Sequence, residues 1–326
     1  MSKVGVLAWR KIFETNDARR LAKQVQDTSD LEIVRDIAYV GDGDRGHLLD
    51  VYRLPDAPAD APVVVNIHGG GLFASYKDLN ANFNYEWARR GYAVASLSYR
   101  LIPEVTLWQQ VDDIMAALRY LAQHADELGL NLARCFLTGD SAGALLAYFA
   151  LALEGSAELR RDFGIEACGI AFRAAGLISI MLDTQRNDFL FSINDVVTGP
   201  HDRGRAYERY LLDPGIMVAH AQLPPIYLVT SEEDAIRKDT LMFRALLDAT
   251  GAANELLDFP RGGERKLVHV FSVGYPLYPE SRIAIDSMSG FFLAQEVLSA
   301  GFGDDREGET PDADALATNP ASEPFG

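Results

Sequence analysis

The sequence predicts an α/β protein in which a mostly parallel central sheet carries helices on both faces. Two kinds of segment predict this fold class. Short, fully apolar runs rich in β-branched residues, such as 63–67 and 93–97, are typical of strands covered on both faces. A longer run, 107–128, has apolar residues at three- and four-residue spacing, which is typical of an amphipathic helix. Because the two kinds of run alternate along the chain, we expect neighbouring strands to run parallel.

The chain begins with a charged, helix-like stretch, residues 1–30, that stands outside this alternation. Two segments with strand-like alternation follow, 31–40 and 47–54, and the Gly- and Asp-rich turn between them predicts a β-hairpin. The later predicted elements are strands at 136–138, 174–180, 226–230 and 255–259, and helices at 142–153, 239–249 and 281–298.

We expect one domain over residues 1–300, with cap segments at about 1–30 and 183–222. Residues 183–222 interrupt the strand–helix rhythm with Gly, Pro and scattered aromatic residues, among them Phe189 and Phe191. We interpret this segment as an insertion that caps the carboxyl ends of the strands. The alternative interpretation is a long helical connection between two strands. Residues 301–326 are rich in Gly, Pro, Asp, Glu and Ala, so we expect them to form a disordered acidic tail.

The composition limits the classes of partner. A formal net charge of −17 over 326 residues argues against nucleic acid, because proteins that bind it concentrate Lys and Arg. The sequence has neither an apolar run long enough to span a bilayer nor the apolar segment of a signal peptide. We therefore expect no membrane partner and a cytoplasmic location. The two cysteines, Cys135 and Cys168, are too few for a disulfide framework and are expected to be buried free thiols.

A five-residue motif, Gly139-Asp140-Ser141-Ala142-Gly143, matches the pattern Gly-x-Ser-x-Gly. A predicted strand leads into it and a predicted helix leads out, which is the setting in which such a serine acts as a nucleophile. The sharp turn exposes the hydroxyl, the crowded flanking positions must be small, and the helix N-terminus favours negative charge. We therefore predict that Ser141 is a nucleophile, with an ordinary glycine-rich turn as the alternative.

Three consecutive glycines follow the predicted strand 63–67, directly after His68. Glycines at a strand end leave backbone N–H groups free to point into a cleft. We predict that the N–H groups of Gly70 and Gly71, with that of Ala142, form an oxyanion hole, in which one donor is typically worth about 3 kcal/mol of barrier. The glycine patterns of phosphate-cradling loops are absent from the sequence. His68 itself is expected to hold the loop by hydrogen bonds.

A serine nucleophile needs a general base, and histidine is the usual base near neutral pH. In a protein of this arrangement, the chain order is serine, acid and then histidine. Of the six histidines, three precede Ser141, and His201 and His220 precede every strong acid candidate outside the predicted cap. By elimination, His269 is predicted to be the base.

The acid that orients this histidine should lie in the turn after the strand at 226–230. Three carboxylates stand there, Glu232, Glu233 and Asp234, and chemistry alone does not choose between them. Asp183 is a further candidate, because the acid can lie one strand earlier.

Over residues 48–292 the chain resembles the hormone-sensitive-lipase-like branch of the α/β hydrolases. The segments that carry the resemblance are His68-Gly69-Gly70-Gly71, Ser98-Tyr99-Arg100-Leu101-Ile102-Pro103-Glu104, Gly139-Asp140-Ser141-Ala142-Gly143 and Asp234-Ala235-Ile236-Arg237-Lys238-Asp239. The resemblance implies the α/β-hydrolase fold with a helical cap, hydrolysis of short-chain acyl esters, no metal and no cofactor. It also implies that Asp234 is the acid, ahead of Glu233. At the base this family has His-Gly-Phe, where the present chain has His269-Val270-Phe271.

The sequence therefore predicts a carboxylic ester hydrolase that forms an acyl-enzyme on Ser141 and acts on a small-molecule ester. Three alternatives remain open: an amidase or kynurenine-formamidase-like enzyme with the same triad, an acetyl-xylan or feruloyl esterase, and a non-catalytic binding protein on the same fold. Aromatic residues near the glycines, Phe73 and Tyr76, and in the predicted cap, Phe189 and Phe191, suggest a closed pocket for a small acyl group, with Phe73 and Tyr76 predicted to contact the substrate. Whether the chain forms a homodimer is left open.

Overall fold

One sheet of eight strands crosses the described part of the chain, which in this computed structural model comprises residues 3–185 and 194–301. In chain order the strands are β1 (Glu32–Ala38), β2 (Leu48–Arg53), β3 (Val63–Ile67), β4 (Ala93–Leu97), β5 (Cys135–Asp140), β6 (Ala174–Ile178), β7 (Ile226–Ser231) and β8 (Asn254–Phe259). They lie in the order β1-β2-β4-β3-β5-β6-β7-β8. The pairs β1–β2 and β2–β4 are antiparallel, and all other neighbours are parallel.

Helices connect the strands. In chain order they are α1 (Lys3–Leu21), α2 (Ala81–Arg89), α3 (Leu107–Gln123), α4 (Ala125–Leu128), α5 (Ala142–Glu154), α6 (Ala157–Phe163), α7 (Asn194–Val197), α8 (Glu208–Leu212), α9 (Arg237–Thr250), α10 (Phe271–Gly274) and α11 (Pro279–Gly301). Short 3₁₀ turns span Arg45–His47, Lys77–Asn80, Leu132–Arg134 and Pro214–His220.

The sheet separates two apolar cores, because successive side chains of a strand point to opposite faces. Val63 and Val65 of β3 belong to the core that contains α3 and α5. Val64, between them, belongs to the core that contains α2 and α11. All residues of β3, β4 and β5 are buried, as expected for parallel strands covered on both faces. The predicted α/β class with a mostly parallel sheet is therefore confirmed.

Local sequence signals explain where the helices begin and end. Thr106 and Gln109 form a capping box at the start of α3, in which the Gln109 side chain accepts the Thr106 N–H at 3.0 Å. The Ser156 hydroxyl accepts the Leu159 N–H at 3.2 Å at the start of α6. At the end of α9, Gly251 has φ 71°, a left-handed conformation that glycine adopts without steric cost.

Several element boundaries differ from the prediction. The predicted helix at 107–128 is interrupted at His124, which separates α3 from α4. The predicted strand at 174–180 ends at Ile178, because Ser179 has φ 50° and leaves the extended conformation. Helices α2 and α6 were not predicted. Nearly every residue of α2 is buried, polar and apolar alike. In the sequence, its residues 82–87 alternate between polar and apolar, a spacing more typical of a strand than of a helix.

The predicted cap segments contain α1 and, from residue 194, the helices α7 and α8 with the turn Pro214–His220. The Tyr148 hydroxyl in α5 donates to the Pro214 carbonyl at 3.1 Å and joins this second segment to the core. Residues 186–193, with Phe189 and Phe191, lie outside the described residues, as do 302–326 of the predicted tail. Gly301, the first residue of that tail, instead ends α11. The division into one domain with two cap segments stays a prediction.

Within residues 3–185 and 194–301, no single helix is long and apolar enough to cross a membrane. Helices α5 and α6 together have sufficient length and composition, but they are bent by 114° at their junction.

Candidate active site

Ser141 stands at the sharp turn between β5 and α5. Its backbone has φ 53° and ψ −117°, which is uncommon for a residue with a side chain. Hydrogen bonds to the end of β6 and to the residues that follow it hold Ser141 in this conformation. Its N–H donates to the Ile178 carbonyl at 2.9 Å, and its own carbonyl accepts the Met181 N–H at 3.2 Å. The turn therefore depends on the end of the neighbouring strand β6.

The glycines on both sides of Ser141 allow this turn to pack closely. A Cβ atom on Gly139 would lie 2.5 Å from the Gly143 carbonyl oxygen. A Cβ atom on Gly143 would collide with the carbonyl oxygens of Ile67 and His68, at the end of β3. Both positions therefore exclude any larger residue, which explains the spacing of the motif.

A continuous hydrogen-bonded chain runs from Ser141 to Asp234. His269 Nε2 lies 2.9 Å from Ser141 Oγ, and His269 Nδ1 lies 2.8 Å from Asp234 Oδ1. His269 precedes α10 in a turn, and Asp234 follows β7. The sheet order places the ends of β5 and β7 at one edge, so residues far apart in sequence meet there.

The other acid candidates have different contacts. Glu233 Oε2 accepts the backbone N–H of Leu267 at 2.8 Å, two residues before His269. Asp183 Oδ1 accepts the N–H of Gln185 at 3.0 Å. Of the candidates, Asp234 is the one that the structure brings to the imidazole.

The environment of Asp234 favours its ionised form. Burial acts to raise the pKa of this carboxyl group, but the hydrogen bond and charge of His269 and a further hydrogen bond from Ser179 outweigh burial. Its pKa is lowered as a result. Asp234 also accepts the Ile236 N–H at 2.9 Å and the Thr230 hydroxyl at 3.2 Å, which fix the orientation of the carboxylate.

The three glycines after His68 form a tight loop beside Ser141. Gly70 and Gly71 have φ of 111° and 64°, in the region that favours glycine. The Gly70 carbonyl accepts the Ala74 N–H at 3.0 Å, which closes the loop. Within the described ranges, the N–H groups of Gly70, Gly71 and Ala142 have no protein acceptor. Gly70 and Gly71 line the same cavity as Ser141 and His269, so their donors are available to a ligand.

His68 lies beneath this loop, fully buried. Its Nδ1 donates to the Gly69 carbonyl at 2.6 Å, and its ring stacks on Tyr99 with 4.4 Å between ring centroids. Burial lowers the pKa of His68 to about 4, so the imidazole is neutral at neutral pH. These contacts agree with the expected loop-holding role.

The cavity next to Ser141 has a volume of about 240 Å³. Helix α1 forms part of its wall through Phe13, Asp17 and Arg20, and Tyr275, whose ring centroid lies 6.0 Å from the Arg20 guanidinium carbon, also lines it. Asn80, at the end of the turn Lys77–Asn80, also lines it. These five residues were not identified in the sequence as parts of the site, because no local motif marks them.

Phe73 and Tyr76, predicted to contact the substrate, lie close to this cavity but not on its described wall. Phe73 is buried behind the glycines and packs edge-on against Phe13, with 5.3 Å between ring centroids. Tyr76 lines a neighbouring depression, where the Arg45 guanidinium lies 4.3 Å from its ring centroid. Their role in substrate binding stays a prediction.

A larger cavity, of about 620 Å³, lies among Trp108, Arg161, His201, Arg205 and Tyr207. None of the residues of the Ser141–His269–Asp234 chain lines it. The hydrogen-bonded chain from Ser141 therefore meets the smaller cavity, and size alone does not locate the candidate site. Among the described residues, His, Cys, Asp and Glu form no group that could hold a metal ion.

Comparison with known proteins links the chain to esterases. The BD-FAE family model matches residues 49–172. Esterase LipI of Mycobacterium tuberculosis is 30% identical over 239 residues, which cover 69% of this chain and 70% of LipI. Carboxylesterase NlhH of the same species is 30% identical over 228 residues, which cover 64% of this chain and 68% of NlhH.

A solved structure extends the similarity to nearly the whole chain. Esterase B from Lactobacillus rhamnosis aligns with a TM-score of 0.85 at 27% identity, over 93% of this chain and 98% of esterase B. A second structure of esterase B, inhibited with a C4-C4 SN3 tributyrin phosphonate, aligns with the same TM-score of 0.85 at 26% identity. It covers 94% of this chain and 100% of the esterase.

Proposed function

Because the chain belongs to the hormone-sensitive-lipase-like carboxylesterases of the α/β-hydrolase fold, we propose that it cleaves short-chain acyl esters with Ser141, His269 and Asp234 as its triad. Carboxylic ester hydrolysis is the reaction of its relatives and of this chain. The observation that carries the triad proposal is the hydrogen-bonded chain, with 2.9 Å from Ser141 Oγ to His269 Nε2 and 2.8 Å from His269 Nδ1 to Asp234 Oδ1.

In the proposed acylation step, His269 Nε2 takes the proton of Ser141 Oγ as the oxygen attacks the ester carbonyl carbon. The negative charge that develops on the carbonyl oxygen is stabilised by the N–H groups of Gly70, Gly71 and Ala142. The C–O bond to the alcohol then breaks, and His269 returns the proton to the leaving oxygen. Asp234, kept ionised by its hydrogen bonds, stabilises the intermediate imidazolium.

In the proposed deacylation step, His269 takes a proton from water, which attacks the acyl-enzyme carbonyl. The same N–H groups stabilise the second oxyanion. Collapse of this intermediate releases the acid, and His269 returns the proton to Ser141.

Three observations support a short acyl chain. The cavity of about 240 Å³ lies below the range of about 300–1,000 Å³ that is usual for drug-sized ligands. Its wall includes the apolar residues Phe13, Leu79 and Val273, which suit a small acyl group. The structural neighbour esterase B is inhibited by a tributyrin phosphonate, which carries four-carbon acyl groups.

The test compares the wild-type chain with Ser141→Ala on p-nitrophenyl esters of increasing chain length. We expect measurable hydrolysis of acetate and butyrate, a decline for long acyl chains, and a loss of about 10⁴-fold or more in kcat for Ser141→Ala. Ser29→Ala, an exposed serine, is the matched control. Equal esterase activity of the wild type and Ser141→Ala would contradict the triad proposal. If the protein hydrolyses N-formylkynurenine faster than every ester tested, its preferred substrate is an amide and the proposed ester substrate is wrong.

A further inference from the structure

A buried polar cluster lies directly behind the glycine loop and is not used in the proposed chemical steps. At its centre is Asn80, which is 1% exposed. Its Nδ2 donates to Asp140 Oδ1 at 2.7 Å and to Asn66 Oδ1 at 2.9 Å. Asn66 Nδ2 in turn donates to the Thr138 hydroxyl at 2.9 Å. The Asn80 amide therefore ties the turn Lys77–Asn80 to the adjacent strands β3 and β5.

Asp140, next to Ser141, connects this cluster to the glycine loop. Its Oδ1 accepts the Gly69 N–H at 3.1 Å as well as the Asn80 amide. A Cβ atom on Gly69 would lie 2.5 Å from Asp140 Oδ2, so the loop backbone rests directly on the carboxylate. The position of Asp140 therefore determines where the loop begins.

The acceptor role of Asp140 is strongest in its ionised form, because both oxygens then accept and neither donates. Burial raises the pKa of this carboxyl group, and the hydrogen bond from Asn80 is the first of the effects that oppose burial. His269 and Arg20, the charged groups that act on Asp140, also oppose it. Without Asn80 the carboxyl group would protonate more readily and would lose one of the two donors that orient it.

We propose that Asn80 is a positioning residue for the oxyanion hole, acting through Asp140 on the Gly69 N–H and so on the placement of Gly70 and Gly71. This inference rests on the proposed function. The loop is held at two points, Gly69 N–H on Asp140 and Gly70 carbonyl on the Ala74 N–H. Release of the first point lets the two donor N–H groups move away from the developing oxyanion.

The first test is Asn80→Ala, with Asn84→Ala as the matched control. Asn84 is also a buried asparagine, one helical turn further on, and its side-chain atoms have no hydrogen-bond partner among the described residues. We expect Asn80→Ala to lower kcat on p-nitrophenyl butyrate about 10- to 100-fold with little change in KM, because a misplaced donor acts on the transition state. Asn84→Ala should retain the wild-type kcat.

The second test uses an oxyanion-forming inhibitor, an alkyl trifluoromethyl ketone, whose adduct with the serine needs the same N–H donors. Its Ki should rise for Asn80→Ala by about the factor by which kcat/KM falls.

A third test is the pH profile of Asn80→Asp, which a purely structural role would leave unchanged relative to the wild type. The activity of this variant relative to wild type should rise as the pH is lowered, because a protonated carboxyl group can again donate to Asp140.

The outcomes separate this inference from the proposed function. If Ser141→Ala abolishes hydrolysis but Asn80→Ala keeps kcat, only the inference on Asn80 is overturned. A rise in KM at constant kcat would also overturn it, since that result indicates direct substrate contact. A loss of activity that merely follows a loss of folded protein, measured by Tm, would do the same. If the wild type hydrolyses no ester, both the proposed function and this inference fail.

Discussion

Ser141 adopts an unusual backbone conformation because the surrounding backbone leaves little alternative. A residue with a side chain at φ 53° costs about 1–3 kcal/mol, and it persists where neighbouring structure compensates. Here the Ile178 carbonyl accepts the Ser141 N–H, and the Met181 N–H donates to the Ser141 carbonyl. The strained turn directs Oγ towards His269, which the relaxed conformation of an ordinary helix start would not do.

His68 makes stability depend on pH. The folded state keeps this imidazole neutral down to a pKa of about 4, whereas an unfolded histidine protonates near its ordinary value of 6.5. Between these values the unfolded state binds more protons, so stability falls as the pH falls through this window. In this window the free energy of unfolding falls by about 1.4 kcal/mol per pH unit. The total loss attributed to His68 is about 3 kcal/mol.

When the pH is lowered from 7 to 5.5, the free energy of unfolding should fall less for His68→Gln than for the wild type. We expect the two losses to differ by about 1 kcal/mol. The measurement is the free energy of unfolding in urea at both pH values. The comparison is the slope with pH and not the absolute stability, because the glutamine also changes the stack on Tyr99. Parallel pH slopes for the two proteins would show that His68 does not carry this dependence.

At the scale of elements, α1 joins both sides of the active-site cavity. Close to its middle, Arg10 donates to the Phe73 carbonyl at 2.6 Å and pairs with Glu104 through both carboxylate oxygens. Near its end, Arg20 Nη1 donates to the Gly274 carbonyl at 2.6 Å. Phe73 lies on the glycine-loop side and Gly274 on the histidine side. The helix is therefore fastened across the cavity by polar contacts to both rims.

We expect Arg10→Ala to loosen α1. Hydrogen bonds to charged groups are worth about 1.5–3 kcal/mol each, so loss of this cluster should speed amide exchange in the helix about tenfold or more. Hydrogen–deuterium exchange resolved by peptide is the measurement. Arg19→Ala, an exposed arginine of the same helix, is the matched control. The same protection in both variants would contradict a fastening role for Arg10.

At the scale of the whole molecule, two separate cores on the two faces of the sheet stabilise the fold.

The two cysteines are both buried. Cys135 at the start of β5 is fully buried and belongs to the core with α3 and α5. Cys168, in the connection between α6 and β6, is 6% exposed. Burial raises the pKa of both thiols, which keeps them protonated and unreactive. Both are free cysteines, as the sequence predicts.

These thiols can report on how the molecule opens. We expect neither to react readily with a disulfide reagent in the native state and both to react in guanidinium chloride. In single-cysteine variants at low denaturant, Cys168 should react faster than Cys135, because a connection opens at lower cost than a central strand. The measurement is the labelling rate of Cys135→Ala against that of Cys168→Ala. Equal labelling rates of the two variants at low denaturant would contradict this order of opening.

Much of the fold was predictable because its signals are local. Short apolar runs identified the central strands, and the glycine spacing around Ser141 follows from the close contact of that turn with β3. Helix α2 was not predicted, because its residues 82–87 alternate between polar and apolar, which is the spacing expected of a strand. Helix α1 has apolar residues on more than one face, because Val4, Leu7 and Ile12 are exposed whereas Val6 is buried. The sequence pattern of α1 therefore does not reveal which face meets the cavity.

The amino acids alone reveal the serine motif and the alternation of the central strands with most of the longer helices, because both depend on neighbouring residues along the chain. Only the tertiary structure brings Asp234, and not Glu233 or Asp183, to the imidazole of His269, since all three carboxylates lie at plausible places in the chain. Only the tertiary structure also places Asn80 behind the glycine loop and α1 across the cavity. These contacts join segments that are distant along the chain, so they depend on how strands and helices pack.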